Sequence, residues 1–157
     1  MARGPEANFW MSLRKHLPKN SHATRIENKS GGGVPDVHIL LDKLPFWLEL
    51  KAAQNAAVRV SPLQIAWHTA YAARGGLSFF LVQAPQTKEI LLFSGSDAGN
   101  LSQNGLKTEP LFSVRGPAAA WEALRPLVRE HYANVLRPCG PAPASPDLVE
   151  PCGPAAP

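Results

Sequence analysis

Asp36, His38, Glu49 and Lys51 all fall within GVPDVHILLDKLPFWLELKAA, residues 33 to 53. Two carboxylates brought together suit a hard divalent cation such as Mg²⁺, which takes oxygen ligands and keeps several of its waters. An ammonium beside them can orient a water or offset developing negative charge. The surrounding residues supply a way to bring them together. Val37, Ile39 and Leu41 alternate with Asp36, His38 and Leu40. Phe46, Leu48 and Leu50 alternate with Trp47, Glu49 and Lys51. Period-2 patterning on both arms predicts a β-hairpin with one apolar face and one polar face. Asp42-Lys43-Leu44-Pro45 suit a four-residue loop, which pairs Leu41 with Phe46, Asp36 with Lys51 and His38 with Glu49. Diagonal neighbours such as Asp36 and Glu49 then lie roughly 7–8 Å apart at Cα, within reach of one ion. The same charges also fit a plain cross-strand ion-pair cluster on a solvated face.

Other elements must hold this hairpin. GPEANFWMSLRKHLPK reads as a helix opened by Pro5, with Phe9, Trp10, Leu13 and Leu17 as its apolar stripe and Glu6 on the same inward side. HATRIEN reads as a first strand and KSGGG as a loop into the hairpin. SPLQIAWHTAYAARGG is a helix capped by Ser61, begun by Pro62 and stopped at Gly75-Gly76. Gln64, three residues after Ser61, completes a capping box. LSFFLVQ and EILLF are further strands, and RGPAAAWEALRPLVREHYANVL is a last helical region with Pro126 inside it. The expected order is α-β-β-β-α-β-β-α, an α/β fold with a mixed sheet flanked by helices.

Chain totals narrow the function classes. The 157 residues make one domain, 1–136, followed by a Pro/Ala/Gly-rich tail, 137–157, too poor in apolar residues to bury a core. A net charge of +4 and a pI near 9.3 fit a nucleic-acid partner without requiring one. No apolar run approaches a membrane span and the N-terminus lacks a signal-peptide core, so the expected setting is cytoplasmic. Cys139 and Cys152 both lie in the tail, which leaves no disulfide framework or zinc site.

Pro35-Asp36 followed by Glu49-Leu50-Lys51 resembles the PD-(D/E)XK nuclease signature. The SPLQ helix and Gly75-Gly76 that follow are similar to the corresponding segment of VRR-NUC domains, and to phage and archaeal Holliday junction resolvases. The likeness spans roughly residues 4 to 93. It implies a restriction-endonuclease-like core and hydrolysis of DNA phosphodiesters with Mg²⁺ or Mn²⁺. By that resemblance Asp36, Glu49 and the Leu50 carbonyl hold the metal, and Lys51 orients the attacking water or offsets phosphate charge. Glu6 is then the N-terminal-helix carboxylate that reaches the metal or a second metal site, with Glu27 its competitor, and Gln64 supports Lys51 or the phosphate. A resolvase implies branched DNA as substrate and a homodimer, for which LSFFLVQ and the Trp121 helix are candidate contact surfaces.

Arg14, Lys15, Lys19, Arg25 and Lys29 cluster early in the chain and suit phosphate contacts, as does His68, one turn after Gln64. Trp47 fits either stacking on nucleic acid or cover by a flanking helix. Within the nuclease class the alternative is a general duplex or flap nuclease; outside it, a DNA-binding protein without turnover. No arginine-rich run or aromatic RNP-type strand favours an RNA-binding module.

Overall fold

The computed structural model describes residues 4–26 and 32–136. The chain runs α1 (Pro5–Arg14), β1 (Ser21–Arg25), β2 (Val37–Leu41), β3 (Leu44–Ala52), α2 (Pro62–Ala72), β4 (Ser78–Gln83), β5 (Glu89–Ser94), α3 (Ala98–Asn104), β6 (Phe112–Arg115) and α4 (Pro117–Val135). The strands form a six-stranded sheet in the order β1-β2-β3-β4-β5-β6. β3 and β4 are parallel and every other pair is antiparallel. A parallel pair needs a crossover, and α2 is that crossover. The α/β class with a mixed, helix-flanked sheet is therefore as expected.

Alternation along the strands sets two layers. On one face Val37, Ile39, Leu41, Phe46, Leu48 and Leu50 join Phe9, Trp10 and Leu13 of α1 and Trp121, Leu124 and Val128 of α4. The Trp121 indole N–H donates to the Leu13 carbonyl at 3.0 Å, tying the last helix to the first. On the other face Phe80, Val82, Leu91 and Phe93 pack with Ala98 and Leu101 of α3, and Ile65 of α2 lies against them. This second cover does not extend over β1 and β2, where His22, Thr24 and Leu40 are exposed.

The β2–β3 register differs from expectation. The turn holds only Asp42 and Lys43, with φ of 51° and 71°, and Leu41 pairs with Leu44. Positive φ at both central residues is the hairpin turn whose twist matches the strands. Asp42 is pinned by the guanidinium groups of Arg125 at 3.2 Å and Arg129 at 2.8 Å. Pro45 enters the strand without losing a ladder bond. The N–H of Trp47, two residues on, points toward the β4 side, so the missing N–H of Pro45 faces the same way, before β4 begins. The slip is by two residues, so every side chain keeps its face.

Two elements were not foreseen, α3 and β6, both in the stretch between β5 and α4. LSFFLVQ is a central strand buried on both faces, so it offers no dimer surface; in the other candidate, α4, Trp121 itself is 1 % exposed while the outer side of the helix is open. The tail and Cys139 and Cys152 lie outside the described residues, as do Glu27 and Lys29. Among the described residues, no helix is long and apolar enough to cross a membrane.

Candidate active site

Asp36 stands one residue before β2. Extending the register in which Val37 faces Leu48 puts Asp36 opposite Glu49, not Lys51, and Pro35 opposite Leu50; His38 faces Trp47, not Glu49. Proline has no N–H to offer the Leu50 carbonyl. The Leu50 N–H donates to the Asp36 carboxylate, at Oδ2, at 2.9 Å. A strand residue points its N–H and C=O to the same side, so the Leu50 carbonyl faces the edge where Asp36 sits. The proline before the aspartate thus frees a backbone oxygen beside two carboxylates. Gly33 lets the loop approach this closely. Its φ is +94°, and a Cβ there would run into the Leu63 backbone at the start of α2.

Glu49 and Lys51 share one face of β3, and α2 closes over them. Glu49 is 2 % exposed and Lys51 9 %. This is no solvated ion-pair cluster. Glu49 Oε1 accepts from the Gln64 side-chain amide at 2.5 Å and lies 2.9 Å from the Lys51 ammonium. Gln64 also completes the capping box. Ser61 N–H donates to Gln64 Oε1 at 3.0 Å, and Gln64 N–H donates to Ser61 Oγ at 3.2 Å. With Oε1 committed to the cap, the amide nitrogen is aimed at Glu49. Capping and site support are therefore one arrangement, and Gln64 supports Glu49 rather than Lys51.

The electrostatics favour a cation. Burial pushes the Glu49 carboxyl up to about 7, and Asp36 adds to the rise; Lys51 works against both, and Glu6 adds a weaker upward push. Glu49 Oε2 is buried and has no hydrogen-bond partner among the described residues. A buried, half-satisfied carboxylate beside a second carboxylate is costly unless a positive charge joins it. The donor set fits a hard ion: Asp36, Glu49 and the Leu50 carbonyl are all oxygen donors. Among the described residues no three His, Cys, Asp or Glu side chains form a metal-binding group, so Glu6 does not complete a three-carboxylate cluster.

Glu6 lines an adjoining cleft of about 400 Å³ with Arg25, Lys51, Gln54 and Arg59. The cleft brings the N-terminus of α1 and the ends of β1 and β3 together beside the carboxylates. Of the basic residues expected near phosphates, it gathers Arg25. Lys19 is at the other end of β2, in a separate depression with Lys43 and Arg129. Arg14 and Lys15 end α1, two turns from Glu6. Arg59 was missed, although an exposed arginine between buried Val58 and Val60 is a readable alternation. The phosphate contact expected of His68 fails, because the ring is fully buried. His68 Nδ1 pairs with Ser78 Oγ at 2.8 Å, and burial, with Lys51 nearby, brings its pKa down to about 4.

His38 and Trp47 lie on the same face as the carboxylates, with ring centroids 4.9 Å apart. Trp47 meets Trp67 of α2 at 5.7 Å, and Trp67 stacks on Tyr71 at 4.7 Å. The flanking helix does cover Trp47, though only in part.

Neither a family model nor a curated protein sequence matches the chain. Among solved structures it is similar to Archaeoglobus fulgidus Hjc, a Holliday junction resolvase from an archaeal hyperthermophile. The identity is 16 %, the TM-score 0.47, and the match covers 75 % of this chain and 96 % of that one. A likeness of that size carries no residue role and no substrate across.

Proposed function

We propose that this chain is a metal-dependent endodeoxyribonuclease, a structure-selective enzyme of the phage-type Holliday junction resolvase kind. The observation that carries the reading is Glu49. Its carboxylate is buried, one oxygen is held by Lys51 and Gln64, and the other, beside Asp36, is without a hydrogen-bond partner among the described residues. The Pro35-Asp36 and Glu49-Leu50-Lys51 motifs on which the resemblance rests meet at this point.

Asp36, Glu49 and the Leu50 carbonyl would hold Mg²⁺ or Mn²⁺. When bound, such an ion lowers the pKa of a water, polarises the phosphoryl oxygen and stabilises the leaving oxygen. The chain's own groups do the rest. Lys51 lines the cleft, and its ammonium orients the attacking water or takes up phosphate charge. Gln64 fixes the Glu49 rotamer through its cap. Arg25 and Arg59 line the same cleft and supply phosphate contacts that position the strand. A four-way junction has two equivalent strands to cut, which calls for a homodimer.

The test is cleavage, in Mg²⁺ or Mn²⁺, of a synthetic four-way junction beside linear duplex and single strand, with Asp36→Asn as control. Paired cuts confined to the junction and absent from the variant are expected. Equal cutting of linear duplex identifies a general nuclease. Junction binding without any cutting identifies a non-catalytic binder.

A further inference from the structure

We infer that His38, Trp47, Trp67 and Tyr71 form a stacking ledge for an unpaired base next to the phosphate that is cut. The inference rests on the nuclease reading and adds to it the substrate feature the enzyme selects. Four observations support it.

The ledge adjoins the site by construction. His38 is two residues beyond Asp36 and Trp47 two before Glu49, so all four share a face, about 6–7 Å apart along their strands. α2 runs back over β3: Gln64 reaches Glu49, and one turn later Trp67 reaches Trp47. The rings are also not core. All four are half-buried, whereas Phe46, Phe80, Phe93 and Trp121 are fully buried. The ledge opens toward the uncovered face of β1 and β2, which leaves room for a ligand.

Charge is arranged to match. Along β3 the order is Trp47, then Glu49, then Lys51 and the cleft with Arg25 and Arg59. Aromatic rings lie on one side of the carboxylates and cations on the other. A nucleotide strand crossing this point sets phosphates on the cationic side and a base on the aromatic side, the combination that marks single-strand sites. A paired base is stacked on both faces and has none to offer. A base at a branch or fork has lost a neighbour, and the ledge replaces it.

The experiment is binding measured by anisotropy on the full chain in EDTA, so that no turnover is needed. The probes are a fluorescein-labelled fork with unpaired arms and a blunt duplex of matched length. The unmodified protein should prefer the fork by about tenfold, the effect of one stacked base. Trp67→Leu should lose that preference and keep its affinity for the blunt duplex within twofold, while Trp67→Phe should retain the preference. If Trp67→Leu does not fold, Tyr71→Leu and quenching of tryptophan fluorescence by a short unpaired oligonucleotide replace it. Trp10 and Trp121 are buried, so quenching there reports Trp47 and Trp67. Equal loss on both probes, or no loss on the fork, overturns the ledge. Fork preference that depends on Trp67 but comes with no cleavage in Mg²⁺ or Mn²⁺ upholds the ledge and overturns the nuclease reading. Cleavage indifferent to Trp67 does the reverse.

Discussion

The hairpin carries a carboxylate cluster at each end, and the two are built oppositely. At the turn, Asp42 faces Arg125 and Arg129, and Arg129 is 61 % exposed. One carboxylate meets more positive charge than it needs, in contact with solvent. At the open end Glu49 lies beside Asp36 and pairs with the Lys51 ammonium, and among the described residues Glu49 Oε2 is buried without a hydrogen-bond partner. In the first arrangement the carboxylate is fully paired, the atom left without a hydrogen bond being Arg125 Nε, and it fastens the turn to α4. The second is short of positive charge. What separates the two carboxylate sites is what remains unsatisfied on the carboxylate itself, not how many charges surround it.

The widest separation between the two clusters should appear in activity. Glu49→Gln or Lys51→Ala should lower cleavage by at least about 10²–10³-fold, the scale of a lost transition-state contact, while circular dichroism shows the fold intact. Asp42→Ala should leave the cleavage rate unchanged. Comparable losses at both ends would erase the distinction.

The next effect is on stability and pH. His68 is buried beside the open-end cluster and has its pKa lowered from 6.5 to about 4. The unfolded state therefore binds a proton that the folded state refuses. The stabilisation is fully present above about pH 6.5 and is lost as pH falls toward 4. It amounts to about 3 kcal/mol. Urea melts at pH 7 and pH 4.5 should show a fall that is blunted in His68→Gln. An equal fall in the variant would assign the effect to other groups.

Metal should stabilise only the open end. Mg²⁺ or Mn²⁺ at a hundred times its Kd should add about 2.7 kcal/mol and raise the melting midpoint. Glu49 must ionise to bind, and its pKa is raised to about 7, so proton and metal compete and the shift should be larger at pH 8 than at pH 6. No shift at either pH, or the same shift in Asp36→Asn, would remove the metal from this site. The smallest effect belongs to the turn. Asp42→Ala should cost no more than about 1 kcal/mol, as expected for a partly exposed ion pair. A greater loss would make the turn cluster structural in a stronger sense than its exposure allows.

The face assignments along β2 and β3 were legible because alternation is read directly from residue types, and a slip of two leaves it intact. The register itself was not legible. Asp42-Lys43 looks like a poor two-residue turn until Arg125 and Arg129, far away in sequence, hold it in place. Gln64 carried two readings: the capping box holds, while its amide nitrogen meets Glu49 and not the expected Lys51. His68 shows the opposite failure. Helical spacing put it beside Gln64, but which side of that stripe faces the sheet depends on β4 and Ser78. α3 and β6 were missed because short elements with few apolar residues take their shape from packing on β5.

The bond from Trp121 to Leu13 spans 108 residues. During synthesis the hairpin and Gln64 emerge early, and the local turn can close quickly. The apolar underside of the hairpin nevertheless remains without α4 until nearly all of residues 1–136 have left the ribosome. A half-made chain presents its carboxylates on a sheet that is not yet held still. The order of synthesis therefore places the last helix as the step that completes the site.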